Sequence, residues 1–129
     1  MKPALNLTIK RCWLVMIATG KKREEYRDWR NAQVSRFYSR CFRHGFPQHG
    51  VAVFRAGYRM DSPAVAVELT GMTLRGAARK ALHPEWGEPR KPAHFVLSLG
   101  KVLKIGDYIT VKAWLGSRNS AEVCGTCAR

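Results

Sequence analysis

The sequence predicts a single α+β domain, mainly β, in which about 5–7 short strands form a small, closed or partly closed barrel. Two helices near the N-terminus are expected to cover one side of it. Three observations favour this class. The chain has 129 residues, enough for one domain with a sizeable core. Apolar and polar residues alternate through much of the chain after residue 50. Strands and helices do not alternate regularly, so a doubly wound sheet is not expected.

The first elements are a strand and a helix. Alternation of apolar and polar residues predicts a strand over residues 4–10. Helical spacing of Trp13, Met16, Ile17 and Gly20 predicts a short helix over about 11–19, which Gly20 ends.

Residues 20–27 carry four basic and two acidic side chains and are predicted to continue as a brief strand. In a strand, Glu25 and Arg27 point to the same face, either as a plain ion pair or as the polar wall of a ligand site. Loss of hydration lowers the pKa of a lysine amine, so Lys22 can act as nucleophile or base while Glu25 orients it or carries a proton. The same residues can instead hold a phosphate or a base edge. The sequence leaves both readings open.

A second helix is predicted over about 29–43, with Asp28 as its N-cap. Its apolar residues fall at i, i+3, i+4 and i+7, which indicates one buried stripe. The opposite face carries Arg36, Arg40 and Arg43. That face is either solvated or contacts phosphate groups, because a guanidinium fork matches phosphate oxygens.

The remainder reads as β structure. The predicted strands are residues 50–56, 64–70, 93–99 with an extension over 101–105, and 108–115. In the second of these strands Val65, Val67 and Leu69 share one face, and in the third Phe95, Leu97 and Leu99 face inward. Between them we expect a short basic helix over 73–82 and an irregular loop over 83–89, and residues 117–129 are expected to be poorly ordered.

The charge is strongly positive. The chain has 23 lysines and arginines against 9 acidic residues, a formal net charge of +14 and a pI near 10.3. Such a balance in a small domain indicates a polyanionic partner, and nucleic acid is favoured over acidic proteins and membrane surfaces.

Several other classes are not expected. No apolar run approaches the roughly 18 residues of a membrane span, and no signal-peptide cleavage pattern is present, so we expect a cytoplasmic protein without a membrane partner. Cys124 and Cys127 form half of a zinc site, and no second pair stands at the required spacing. No phosphate-binding glycine loop or Ser-His-Asp pattern is present. We therefore expect no metal and no cofactor.

Aromatic residues stand beside basic ones in several places: Tyr26-Arg27, Phe54-Arg55, Tyr58-Arg59, and Trp86 near Arg90. Stacking of unpaired bases on such rings is a common mode of nucleic-acid recognition. Phe54 is expected in the core, and Trp86 fits either the core or a binding surface. Tyr58, in a turn, is the best surface candidate.

The segment Gly-Lys-Lys-Arg-Glu-Glu-Tyr-Arg resembles the Gly-x-Lys-x-x-Glu-x-Arg signature of ASCH domains, and later segments are similar to small phage-type members of that family. These segments are Val-Phe-Arg-Ala-Gly-Tyr at 53–58 with Ser-Pro at 62–63, Val-Glu-Leu-Thr-Gly at 67–71, Pro-Glu-Trp-Gly at 84–87 and Phe-Val-Leu-Ser-Leu-Gly at 95–100. Their order and spacing match over about residues 4–105.

The resemblance implies a PUA-like barrel that binds RNA or other nucleic acid. Some relatives are similar to ribonucleases, and one branch deacetylates N4-acetylcytidine with a lysine, a threonine and a glutamate. By motif position the lysine falls on Lys22, the threonine on Glu25, and the arginine of the signature on Arg27. By order along the chain, Glu85 is the nearest match to the glutamate and Glu68 a weaker one.

We therefore expect a nucleic-acid-binding module that prefers RNA to DNA. The expected contacts are Lys21, Lys22, Arg27, Arg55 and Arg59 in a cleft, Arg36, Arg40 and Arg43 on the helix, and Tyr58 and Trp86 for stacking. The alternative is a small hydrolase of RNA or a modified nucleoside, with Lys22 as nucleophile or base, Glu25 or Glu85 as proton partner and Arg27 as anion clamp. A phage-like accessory protein that binds a host protein is the third possibility.

Overall fold

A computed structural model of the chain describes residues 4–28, 30–38, 50–75 and 94–117. The strands are β1 (Ala4–Thr8), β2 (Glu24–Asp28), β3 (Gly50–Arg55), β4 (Pro63–Arg75) and β5 (His94–Asp107). The helices are α1 (Arg11–Ala18), α2 (Ala32–Tyr38) and α3 (residues 108–117).

The five strands form one mixed sheet in the order β1-β3-β4-β5-β2. β1 runs parallel to β3, and the other neighbours are antiparallel. β4 and β5 have 13 and 14 residues, and the register of their pairing shifts in three places. Such irregularities bend strands and increase their twist. The sheet is curled into a half-barrel, which confirms the mainly β, barrel-like class.

α1 and α2 cover one face of the sheet, as the sequence predicts. Leu14 and Ile17 of α1 and Val34 and Phe37 of α2 are buried in one apolar cluster. The sheet contributes residues at alternate positions of four strands: Leu5, Leu7, Ala52, Phe54, Val65, Val67, Leu69, Phe95, Leu97 and Leu99. The predicted shared face of β4 and the predicted inward face of β5 are thereby confirmed, as is the core position of Phe54.

The other face of the sheet is covered by α3, where the sequence predicts a strand over residues 108–115. That prediction is wrong. Val111 packs in a second buried cluster that includes Val51 and Val53, and Tyr108 and Trp114 flank it. Residues 108, 111 and 114–115 lie on one side of a helix, a spacing that the sequence analysis assigned to a strand.

Asp107 begins α3. Its Oδ1 atom accepts a hydrogen bond of 2.9 Å from the backbone N–H of Thr110, as an N-cap side chain does. The hydrogen bonds from Thr110 lower the pKa of the Asp107 carboxyl below its usual value of 3.8. The backbone N–H of Tyr108 donates to the Ser62 carbonyl at 2.8 Å, and that of Ile109 donates to the Met60 carbonyl at 2.9 Å. The β3–β4 loop therefore completes the start of this helix.

α2 starts three residues later than predicted. Asn31, not Asp28, caps it, because Asn31 Oδ1 accepts from the Val34 N–H at 3.1 Å. Asp28 is the last residue of β2, and its Oδ1 atom accepts from the Arg30 N–H at 2.8 Å, which forms the turn before the helix.

β4 is longer than predicted. Residues 73–75, expected to open a basic helix, continue the strand and pair with β5. The rest of that predicted helix lies outside the described residues, as do the loop over 83–89, the end of the second helix after residue 38 and the tail after residue 117. Among the described helices, none has the length and apolar character needed to cross a bilayer.

Candidate functional site

The turn between α1 and β2 positions the charged segment. Gly20 has φ +79°, a left-handed conformation that glycine adopts without steric cost. Its N–H donates to the Ile17 carbonyl at 3.1 Å, and the Lys22 N–H donates to the Met16 carbonyl at 2.9 Å. These bonds close the helix C-terminus, as the sequence predicts for Gly20. Lys22 is thereby fixed at the entrance to β2.

Lys22, Glu25 and Arg27 form one ionic cluster. Lys22 Nζ lies 3.3 Å from Glu25 Oε1. Arg27 donates to Glu25 Oε2 from Nε at 3.1 Å and from Nη2 at 2.8 Å. The Glu25 side chain is only 10% exposed, so both of its oxygens need partners, and each has one. The predicted ion pair of Glu25 and Arg27 is therefore confirmed, and Lys22 adds a third charge to it. The alternative, the wall of a ligand site, stays a prediction.

Arg27 also joins the two edges of the sheet. Its Nη2 atom donates to the carbonyl oxygen of Thr8 in β1 at 2.7 Å. Since β1 and β2 are the first and last strands in the sheet order, this bond spans the open side of the half-barrel. The predicted anion clamp is thus already engaged with a carboxylate and a carbonyl.

Two exposed aromatic rings flank Lys22. Its Nζ atom lies 5.4 Å from the centre of the Trp13 ring and 5.8 Å from that of Tyr26, within the range of cation–π attraction. Trp13 is 43% exposed and Tyr26 is 49% exposed. Tyr26 also contacts the His94 ring edge to face, at 5.5 Å between centres. We name Trp13, Lys22 and Tyr26 the Lys22 platform.

The sequence interpretation missed Trp13. It placed Trp13 on the same helical side as Ile17, but the buried residues of α1 are Leu14 and Ile17, so the core face lies one residue further round. A core face that starts at Leu14 leaves the preceding tryptophan at its border. This position of Trp13, next to the core face rather than on it, was the signal in the sequence that could have identified it as exposed.

A second concave region lies at the outer edge of β1. A cavity of about 270 Å³ is lined by Asn6, Leu7, Thr8, Gln33, Arg55 and Tyr58. We name it the β1-edge cavity. Thr8 belongs to both regions, because its carbonyl accepts the hydrogen bond from Arg27. The structure therefore places Arg55 and Tyr58 at this cavity, which meets the ionic cluster at Thr8.

The other predicted residues are dispersed. Lys21 is exposed in the turn, and Arg36 is exposed on α2, where its Nε atom donates to the Ala32 carbonyl at 3.2 Å. Arg59 is exposed and paired with Asp61 at 3.0 Å. The predicted residues that fall outside the described part of the chain are Arg40, Arg43, Glu85 and Trp86.

Glu68, the weaker match for a catalytic glutamate, lies away from the ionic cluster. Strand alternation places it on the face of β4 opposite Val67 and Leu69, whereas Glu25 shares the face of Leu97, its partner in β5. Glu68 Oε1 accepts from the Lys101 N–H at 3.0 Å, where the register of β4 and β5 shifts.

No metal centre is formed by the residues that the structure describes, since no three of their His, Cys, Asp or Glu side chains come together. The one cluster of charged side chains with a mostly buried carboxylate is the trio of Lys22, Glu25 and Arg27 within these ranges. Such a site can hold an anion or a base edge, or position an amine.

Comparison with known proteins identifies no relative. The chain matches no family model, no curated protein and no solved structure.

Proposed function

We propose that this protein binds nucleic acid, with a preference for RNA, through the Lys22 platform. The observation that carries the proposal is the position of the Lys22 ammonium beside two exposed rings, 5.4 Å from Trp13 and 5.8 Å from Tyr26. Base–aromatic stacking combined with nearby positive charge is the usual basis of single-strand binding. A ring near a lysine can stack on a base while the ammonium meets the adjacent phosphate.

The charge around the platform supports the same proposal. Lys10, Arg11, Lys21 and Arg23 are exposed on α1 or on the segments that flank it. With a formal net charge of +14, the chain attracts polyanions from a distance. A single strand fits better than a duplex, because its unpaired bases are free to stack and its backbone supplies the charge. The resemblance to ASCH domains favours RNA over DNA.

The test is a fluorescence titration of the full chain with short single-stranded RNA, duplex RNA and single-stranded DNA at two salt concentrations. We expect the tightest binding to single-stranded RNA and a steep loss of affinity with salt, because phosphate neutralisation releases counterions. Lys22→Gln should reduce the magnitude of the salt slope by about 1 if Lys22 contacts one phosphate.

Lys112→Gln is the matched control, since Lys112 is an exposed lysine on α3, on the opposite face of the sheet. Affinity that does not change with salt concentration, or equal effects of Lys22→Gln and Lys112→Gln, would refute binding through the Lys22 platform.

The second candidate is a small hydrolase of RNA or of a modified nucleoside. It is supported by the distance of 3.3 Å between Lys22 Nζ and Glu25 Oε1, which is short enough for the carboxylate to orient the amine. Both oxygens of that carboxylate, however, are already engaged by Lys22 and Arg27, whereas the two rings beside the Lys22 amine are exposed and available for stacking. We therefore rank binding first.

Turnover separates the two candidates. Oligonucleotides recovered from the titration are run on a gel, and N4-acetylcytidine is assayed for acetate release. Intact strands with no acetate favour binding alone. Cleavage or deacetylation that Lys22→Ala abolishes, with the far-UV spectrum and melting temperature retained, would favour the enzyme.

Membership of the ASCH family, the PUA-like class and a cytoplasmic location belong to the same proposal. Support for the family comes from the signature residues Lys22, Glu25 and Arg27, which form one cluster although only a short motif predicted them. Support for a PUA-like barrel comes from the curled five-stranded sheet.

A further inference from the structure

We propose that the β1-edge cavity holds a single nucleotide, with the base between the side-chain amides and Tyr58 and the phosphate on Arg55. This inference rests on the proposed nucleic-acid-binding function and identifies the single nucleotide as the unit that the cavity recognises. It concerns residues outside the Lys22 platform, so the two can be tested apart.

The size of the cavity fits one nucleotide unit. Pockets for drug-sized ligands measure about 300–1,000 Å³, and this cavity, at about 270 Å³, lies just below that range. A base with its sugar is of that order, whereas a longer strand must continue outside.

The polar groups of the lining match a base edge. Asn6 projects from β1 and Gln33 from α2, and each side-chain amide offers a donor and an acceptor. Neither amide hydrogen-bonds to another residue in the part of the chain that the structure describes. Paired donors and acceptors of this kind recognise the adjacent ring nitrogen and amino group of a base.

Arg55 is placed to receive a phosphate. Its Cζ atom stacks 3.8 Å from the centre of the Tyr108 ring, and its Nε atom donates to the Gly57 carbonyl at 2.7 Å. Its two Nη groups make no hydrogen bond to the described residues, so within this part of the chain the outer side of the fork is available to an anion. A guanidinium held in this way loses little conformational entropy when it binds.

Tyr58 is displayed on an ordered loop. Its side chain is 84% exposed, although the loop around it is tied by hydrogen bonds from the Ala56 N–H to the Pro63 carbonyl and from the Arg59 N–H to Ser62 Oγ. Gly57 has φ +137°, and a Cβ atom there would lie 2.7 Å from Ser62 Oγ, so the loop is built around a glycine. An exposed ring on a fixed turn is suited to stacking on a base.

The experiment records the amide spectrum of the 15N-labelled full chain during titration with the four 5′-nucleoside monophosphates. Nucleosides and inorganic phosphate are titrated in parallel. We expect the nucleotides to shift resonances around Asn6, Gln33 and Tyr58, with weaker shifts from the nucleosides or phosphate alone. Equal shifts from phosphate alone would overturn the proposal, because they would show an anion site without base recognition.

Variants identify the parts of the site. Tyr58→Ala should weaken nucleotide binding by about 5- to 150-fold, and Tyr58→Phe should retain it. Met60→Ala is the matched control, since Met60 is an exposed residue of the same loop that does not line the cavity. Gln33→Ala should reduce the differences in affinity among the four nucleotides. Equal affinities of Tyr58→Ala and Met60→Ala would overturn the proposal.

A trinucleotide arm identifies the source of the nucleotide. Tighter binding of the trinucleotide than of the monophosphate supports a nucleotide within a strand, and equal binding supports a free nucleotide; the cavity is the site in both cases. If strands bind through the Lys22 platform while nucleotides leave the cavity resonances unmoved, this inference fails and the proposed function stands. If nucleotides shift those resonances while strands do not bind, the proposed function fails.

Discussion

The guanidinium of Arg27 donates a hydrogen bond of 2.7 Å to the carbonyl oxygen of Thr8, and this bond links the two edge strands of the sheet. The geometry of β1 explains why that carbonyl is available. The Ile9 N–H bonds to the Arg55 carbonyl, so alternate backbone groups of β1 point toward β3, and those of Thr8 point outward. Arg27 thus closes the half-barrel with a side chain where a further strand pair would otherwise be needed.

Arg27→Ala should lower the free energy of unfolding by roughly 1.5–3 kcal/mol, the usual worth of a hydrogen bond to a charged group. The substitution leaves the Thr8 carbonyl without its donor and Glu25 with only Lys22 as partner. Urea unfolding followed by fluorescence measures the change. Arg23→Ala is the control, because Arg23 is exposed and its substitution removes the same charge from the same segment. Equal, small effects of both variants would show that the closure contributes little.

Trp13→Ala should weaken binding of single-stranded RNA by about 5- to 150-fold, the range expected for loss of one stacked base. The effect on stability should be small, because Trp13 is 43% exposed and lies beside the core face of α1. Val15→Ala is the control, since Val15 is an exposed apolar residue of the same helix. Fluorescence titration of both variants decides the point, and Trp13→Phe should recover most of the affinity. If the tryptophan and valine variants bind RNA alike, Trp13 does not stack on a base.

The sequence predicted the parts of the fold that depend on local periodicity. Alternation located β1 and the inner face of β5, and β3 was predicted to within one residue of its end. The position of Gly20 after an apolar helix predicted the end of α1. It also placed Glu25 and Arg27 on one face of a short strand, because that relation follows from the period of two.

What it did not predict depends on tertiary contacts. Residues 108–117 are helical because Val51 and Val53 form a second apolar face that needs a cover. Arg27 meets Thr8 only because register shifts curl the sheet. The position of Arg55 beside Thr8 likewise depends on strand order, which no local pattern encodes.

The conformation at Gly20 gives a prediction that involves no contacts. A Cβ atom at Gly20 would meet nothing within 4 Å, but φ +79° is unfavourable for other residues. Gly20→Ala should therefore destabilise the fold by about 1–2 kcal/mol. Gly116→Ala is the control, for which we expect the opposite sign. Gly116 lies in α3 and also has open space around it, so alanine there should stabilise the fold by about 0.5–1 kcal/mol. Opposite signs in urea unfolding are expected, and stabilisation by both substitutions would contradict the left-handed conformation at Gly20.

The start of α3 should depend on pH through Asp107. Because hydrogen bonds from Thr110 lower the pKa of this carboxyl in the folded protein, its contribution to stability is present above the usual pKa of 3.8 and is lost as the pH falls through the lowered value. Asp107→Ala should lower the melting temperature at pH 7, and its deficit relative to the wild type should shrink in acid. Asp107→Asn keeps an acceptor for the Thr110 N–H, so it should lower the melting temperature less at pH 7 than Asp107→Ala does. Its deficit in melting temperature should also depend less on pH. Asp61→Ala, at an exposed aspartate paired with Arg59, is the control in the same melting experiments. A deficit of Asp107→Ala that stays constant from pH 7 to acid would show that the ionised carboxylate does not stabilise the helix start.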